Sequence, residues 1–178
     1  MKNPSLKYGL LAGFIGILLQ TFTYSMGVGF MATWWVGILI LLALLCTYIV
    51  LSLRIRKEQE GFITFKEAFV KIFLMCLVAG ILSTLFGMLL FHVIDSGFPK
   101  KFQEALVEKT STMMENMGAP TEKIDEVTEK MKTTDNFSVV SQVKSFFYGV
   151  LFYAVFALIM AASIKKIRPF MEDSVNKT

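Results

Sequence analysis

Four apolar runs, residues 8–30, 34–53, 72–94 and 145–164, alternate with short polar connectors and with one long polar insert, residues 95–144. A helix needs about 20 mostly apolar residues to cross roughly 30 Å of hydrocarbon, where the backbone must satisfy its own hydrogen bonds. Each run meets that length. Three carry no ionisable group besides cysteine or tyrosine, and the third holds only His92, near its end. The pattern therefore predicts an all-α protein: a four-helix transmembrane bundle with an extracytoplasmic two-helix hairpin between spans three and four. Residues 1–94 hold the first three spans and a cytoplasmic connector at 54–71, residues 95–144 the hairpin, and residues 145–178 the fourth span and a basic tail.

The polar stretches have their own punctuation. In the connector, Thr64 stands three residues before Glu67, the spacing of a capping box, so a helix is expected to start there and run on into span three. The insert opens with Asp95-Ser96-Gly97-Phe98-Pro99, where Pro99 suits the first turn of a new helix. Phe102, Leu106, Met113 and Met117 then recur at helical spacing. Gly118-Ala119-Pro120 breaks that helix, and Thr121 is the expected cap of a second one, with Ile124, Val127 and Met131 as its apolar stripe. A lone pair of helices buries little apolar area, so these seven residues are expected to lean on the bundle, a second copy or a partner.

Within the spans, small residues mark the expected packing faces. Gly9, Gly13 and Gly16 lie on nearly one face of span one with Gln20, its one strong polar group. Ala79, Ser83 and Gly87 repeat every fourth residue on span three, and Ala154, Ala157 and Ala161 follow helical spacing on span four. Small residues let helix backbones approach in lipid, where packing and interhelical hydrogen bonds replace the hydrophobic effect. The span-one face is read as an intramolecular contact, the alternative being a face between copies. Span two lacks such a face and is expected to meet lipid broadly.

Composition agrees. Hydrophobic residues make up 54% of 178, with 17 Phe and 11 Met, and the mean hydropathy is +0.59, too apolar for a soluble domain of that size. Lysines 2 and 7 before the first run resemble a signal-peptide flank, but the run is long for one and a Trp34-Trp35 pair follows at once, so it is read as retained. Charge then sets the expected orientation. Lys7, Arg54, Arg56, Lys57, Lys66, Lys71, Lys165, Lys166, Arg168 and Lys177 all fall on one side of the bundle, whereas the insert has seven Lys against nine Asp or Glu. Positive loops stay in the cytoplasm, which puts both termini inside and the insert outside. The net charge of +4 thus belongs to juxtamembrane ends that favour anionic lipid, and nucleic acid is not expected as a partner.

Little chemistry stands out. With one His, and Cys46 and Cys76 both inside spans, no nucleophile has a base, and no glycine loop is shaped for phosphate. His92 and Asp95 are read as an interfacial cap rather than a metal pair, since a metal site needs more ligands. Met113, Met114, Met117 and Met131 would suit Cu(I), but methionine more simply fills an irregular small core. No cofactor and no metal are expected.

The stretch Gly61-Phe62-Ile63-Thr64-Phe65-Lys66-Glu67-Ala68-Phe69, leading into a helix that ends Phe91-His92-Val93-Ile94-Asp95-Ser96-Gly97-Phe98, resembles an uncharacterised bacterial family of four-span membrane proteins, a domain of unknown function. The resemblance covers nearly the whole chain and implies a bacterial inner-membrane location, with no established activity or catalytic residues to carry over. The family often places Pro after the equivalent of Asp95, where Ser96 stands here. Residues and resemblance together lead to the expectation of a non-enzymatic membrane subunit that contacts a protein partner through its hairpin, the alternative being a small homo-oligomeric transport or pore component.

Overall fold

The computed structural model describes residues 3–134 and 136–167; Lys2, Asp135, Arg168 and Lys177 of the charges above lie outside the described residues. The described chain is helical, in the order α1 (Pro4–Ser25), α2 (Val28–Met31), α3 (Trp34–Lys57), α4 (Phe65–Leu89) continued by a π-helical turn (Leu90–Ile94), α5 (Phe98–Asn116), α6 (Thr121–Thr133) and α7 (Val139–Ile164). Helices α1, α3, α4 with its π turn, and α7 are long and apolar enough to cross a membrane. The chain is thus a multi-pass membrane protein.

Local chemistry sets the ends of these helices. Asn3 caps α1 by accepting from the Ser5 N–H at 3.0 Å, with Pro4 at the first helical position. Thr64 and Glu67 form the capping box: Glu67 accepts from the Thr64 N–H at 3.1 Å, and Thr64 Oγ1 accepts from the Glu67 N–H at 3.4 Å. Arg54, Arg56 and Lys57 occupy the last turn of α3, where the helix dipole favours cations.

The boundaries differ from the hydropathy pattern in three places. The first apolar run does not continue as one helix to residue 30. Gly27 takes φ +88°, a left-handed conformation that closes α1 at Ser25 and turns the chain into the single turn of α2. Hydropathy carried no sign of this, because Val28, Phe30 and Met31 are as apolar as the span before them. The fourth span starts at Val139, earlier than the loss of charge after Lys144 suggests, with Ser138 accepting from the Ser141 N–H. In α6 the cap is Pro120, and Thr121 is already the first helical residue.

Helix α4 stands at the centre. It packs most extensively on α1 along one side and on α7 along another, while α3 touches all three only lightly. The core of the bundle lies toward the end that carries the α3–α4 connector, where Ile55, Ala68, Ile72, Met75, Cys76 and Ala79 are fully or almost fully buried. At that end the connector pairs with the exit of α7: the Ile63 and Lys166 N–H groups each donate to the other's carbonyl at 2.9 Å. Helix α3 is the least buried span, as its lack of a small-residue face predicts, and exposes Trp34, Ile38, Leu41 and Leu42.

Candidate interaction surface

At the other end of the bundle the insert is built onto the spans by aromatic rings. Tyr24 closes α1, Phe91 lies in the π turn, Phe98 and Phe102 open α5, and Phe137 precedes α7. Phe98 sits 4.8 Å from Tyr24, 5.8 Å from Phe91 and 6.0 Å from Phe102, centroid to centroid. Phe137 meets Phe91 and Phe102 edge-on at 5.6 and 5.7 Å. These distances fall in the range of favourable aromatic pairs. Asp95 locks the entry to this cluster. Its carboxylate accepts from the Gly97 and Phe98 N–H groups at 3.2 and 3.0 Å, forming the turn that leads into α5, and from the Tyr24 hydroxyl at 3.0 Å. His92 plays no part in that turn; its Nδ1 lies 3.2 Å from the Met88 carbonyl, so the expected pairing of His92 with Asp95 is not formed.

Two further ties hold the insert. Lys109 Nζ donates to the Gly29 carbonyl at 2.7 Å and to Thr33 Oγ1 at 2.6 Å, fastening α5 to α2 and the turn after it. Gln103 Nε2 lies 2.6 Å from the Met131 carbonyl and 3.0 Å from that of Thr134, meeting the free carbonyls at the end of α6. Helices α5 and α6 pack on each other and are joined through Gly118, which takes φ +73°, a conformation glycine reaches without strain. Val107, Ile124 and Thr128 are buried in this unit.

The residues expected to form the hairpin's apolar stripe divide among different surroundings. Phe102 enters the aromatic cluster and Ile124 is buried. Leu106 lines a groove against α2, with Met113 and Met117 farther along it. Val127 is exposed, and Thr128 rather than Val127 follows Ile124 inward. Met131 lies beside Gln103, ten residues and about 15 Å along α5 from Met113. Met131 therefore does not face Met113 and Met117 across α5 and α6, as the Cu(I) arrangement required. Among the described residues no three His, Cys, Asp or Glu side chains gather as a metal would require.

The small residues of the spans come together within the chain. A Cβ at Gly9 would lie 2.7 Å from Val78 Cβ and 3.0 Å from the Met75 carbonyl, and one at Gly13 would lie 2.8 Å from Leu82 Cδ2 and 3.3 Å from Ala79 Cα. Gly16 faces Ser83 Oγ, and Gly87 is approached from two sides, by Gln20 Nε2 and Gln142 Oε1. On the α7 side Ala157 and Ala161 are fully buried, and Gly80, which the fourfold repeat passes over, lies against the Tyr153 ring. Cys46 is exposed and Cys76 buried, both as free thiols.

Near the connector a second groove, of 550 Å³, is lined by Glu58, Glu60, Phe62, Glu67 and Lys166 among others. Glu67 serves the capping box, and Glu58 accepts from Lys7 Nζ at 2.5 Å and from the Tyr8 hydroxyl at 2.7 Å. Those bonds, Lys7 first and Tyr8 second, hold the Glu58 carboxyl below its ordinary range.

Neither the aromatic seat nor these ties were named from sequence alone. Tyr24 and Asp95 are 71 positions apart and Lys109 and Gly29 are 80 apart, with no local pattern to link them. The one available signal was Asp95 itself, an Asp just ahead of a Gly and a Pro, a composition that marks a turn.

Compared with known proteins, residues 7–166 match a family model described as Protein of unknown function (DUF4199). The chain belongs to that family. No curated protein and no solved structure matches it.

Proposed function

We propose that this family member is a non-enzymatic integral membrane protein, an accessory or assembly subunit, which meets a protein partner through the water-facing side of α6. The observation that carries this reading is the way the insert is mounted. The aromatic seat, the Lys109 tie and the Gln103 cap hold the insert in place, yet α6 leaves Glu122, Lys123, Glu126, Val127, Glu129 and Lys130 exposed along its length. A mixed polar surface with an apolar centre, held rigid on a transmembrane scaffold, suits recognition with little ordering cost. The acids argue the same way. Glu58, Glu67 and Asp95 are each engaged in holding helix ends and elements together.

The excess of Lys and Arg around the α3–α4 connector and the α7 exit supports an orientation with both termini cytoplasmic and the α5–α6 unit outside, in a bacterial inner membrane. The pore reading rested on the glycine face of α1 as a contact between copies. Within the chain α4 already covers that face, which weighs against it.

Purification from native membrane in mild detergent should bring down one protein in fixed ratio. Glu122→Lys with Glu126→Lys should remove that protein while leaving the melting temperature unchanged. A partner-free monomer recovered from native membrane would defeat the proposal.

A further inference from the structure

Beyond the aromatic seat, α5 overhangs the turn that joins α2 to α3. Between them lies a groove of 630 Å³, with Lys109, Met113 and Met117 on one wall and Gly29, Thr33 and Trp34 on the other. There is room at its base, since a Cβ placed at Gly29 would meet no atom within 4 Å. Its walls carry large apolar side chains that are uncovered: Met117 is 77% exposed, Trp34 68% and Met113 45%. Trp34 is also the first residue of α3, whose flank continues with exposed Ile38, Leu41 and Leu42. The groove therefore opens onto a surface that already faces lipid, at the level of a Trp34-Trp35 pair of the kind that marks a membrane interface.

The charge within the groove is the second observation. Lys109 donates to two neutral oxygens, the Gly29 carbonyl and Thr33 Oγ1, and has no carboxylate within ion-pair distance among the described residues. Glu108 lines the same groove without pairing with it. An ammonium has three donors, so one remains for an anion.

We infer that this groove holds one membrane phospholipid, its phosphate against Lys109 and its acyl chains passing Met113, Met117 and Trp34 onto the lipid-facing flank of α3. A phospholipid satisfies both halves of the site, the uncompensated cation and the exposed thioethers and indole. It reaches them from the bilayer without leaving it. The overhanging half of α5 then lies in the interface with its apolar side down, as amphipathic helices do.

The test places a photoreactive benzoylphenylalanine at residue 117 or, for comparison, at residue 127 of the full chain, in liposomes of phosphatidylethanolamine and phosphatidylglycerol. Both native side chains are exposed, so neither replacement disturbs packing. After irradiation, position 117 should gain the mass of one phospholipid and position 127 should not. Adding Lys109→Gln should lower the yield at 117 several-fold. A cross-link from 117 to a second copy of the chain, the absence of a lipid adduct there, or equal lipid adducts at both positions overturns the inference. A yield unmoved by Lys109→Gln overturns the phosphate contact.

Discussion

Helix α4 makes one kind of contact along its length and another at its end. Along the α1 seam, Gly9, Gly13 and Gly16 bring backbone close to Val78, Leu82 and Ser83. At the insert end the same helix runs through its π turn into a cluster in which Tyr24, Phe91, Phe98, Phe102 and Phe137 meet ring to ring. The environments explain the choice. Inside lipid, helices gain nothing from hiding apolar surface, so close backbone approach through small residues supplies the contact. Where water reaches the bundle's end, burying large rings is itself favourable, and each ring removes more area than any aliphatic side chain. The seam is thus a matter of fit and the seat a matter of bulk, and they should fail in opposite ways when residues change size.

The largest effect is expected from making the seat smaller. Phe98 is 4% exposed and touches three other rings, so Phe98→Ala should cost about 3–5 kcal/mol of local stability. Because α5 and α6 join the spans mainly there and at Lys109, the loss should free the insert while the four spans stay packed. Hydrogen exchange should show α5 deprotected and α4 unchanged. If α4 loses protection equally, seat and seam form a single cooperative unit and the contrast between them collapses.

Making the seam larger comes next. In Gly9→Leu the new side chain meets the Met75 carbonyl, which belongs to the backbone of α4 and has no rotamer to escape into. The cost should be about 1–3 kcal/mol, typical of overpacking. Gly37 on α3 has nothing within 4 Å of its Cβ position, so Gly37→Leu should stay within about 0.5 kcal/mol. Unfolding in detergent measures both, and equal losses would show that glycine content rather than fit governs the seam. Size measurements add a second arm: if Gly9→Leu dissociates an oligomer without lowering monomer stability, the face works between copies after all.

The same contrast governs what could be read in advance. The spans were legible because lipid imposes a length and a composition on every one of them, and the Thr64–Glu67 start of α4 was legible because a capping box is written within four residues. The small-residue faces showed through their periodicity, although Gly80 fell outside the repeat and its contact with Tyr153 went unnoticed. The seat was illegible for the opposite reason. With 17 Phe spread along the chain, no spacing distinguishes Phe91, Phe98, Phe102 and Phe137 from rings that face lipid, such as Phe147 or Phe152. α2 was hidden as well, since a single apolar turn between two spans has the composition of either one. Nothing in the spacing around Lys109 points to Gly29 or Thr33, which lie 80 and 76 positions away.

The smallest effect separates two carboxylates that do similar work at opposite ends of α1. Tyr24 donates to Asp95 beneath the seat, and Tyr8 donates to Glu58 beside the connector, where Lys7 joins as well. The Lys7 bond first, and the Tyr8 bond after it, depress the folded-state pKa of Glu58 from its ordinary 4.5. A depressed carboxyl stabilises the fold at every pH above its unfolded value, and that contribution disappears as pH falls through the lower folded value. Glu58→Gln should therefore lower the melting temperature slightly at neutral pH, with the gap to the parent chain narrowing below 4.5 and closing once both forms are uncharged at this position. Solvent at Lys7 and Glu58 screens the pair, which keeps the effect below those of the seat and the seam. A gap of the same size on both sides of that window would mean that the tie depends on the shape of the side chain and not on its charge. The connector end would then resemble the seam, held by fit throughout, and the division between fit and bulk would run between the two ends of α1 itself.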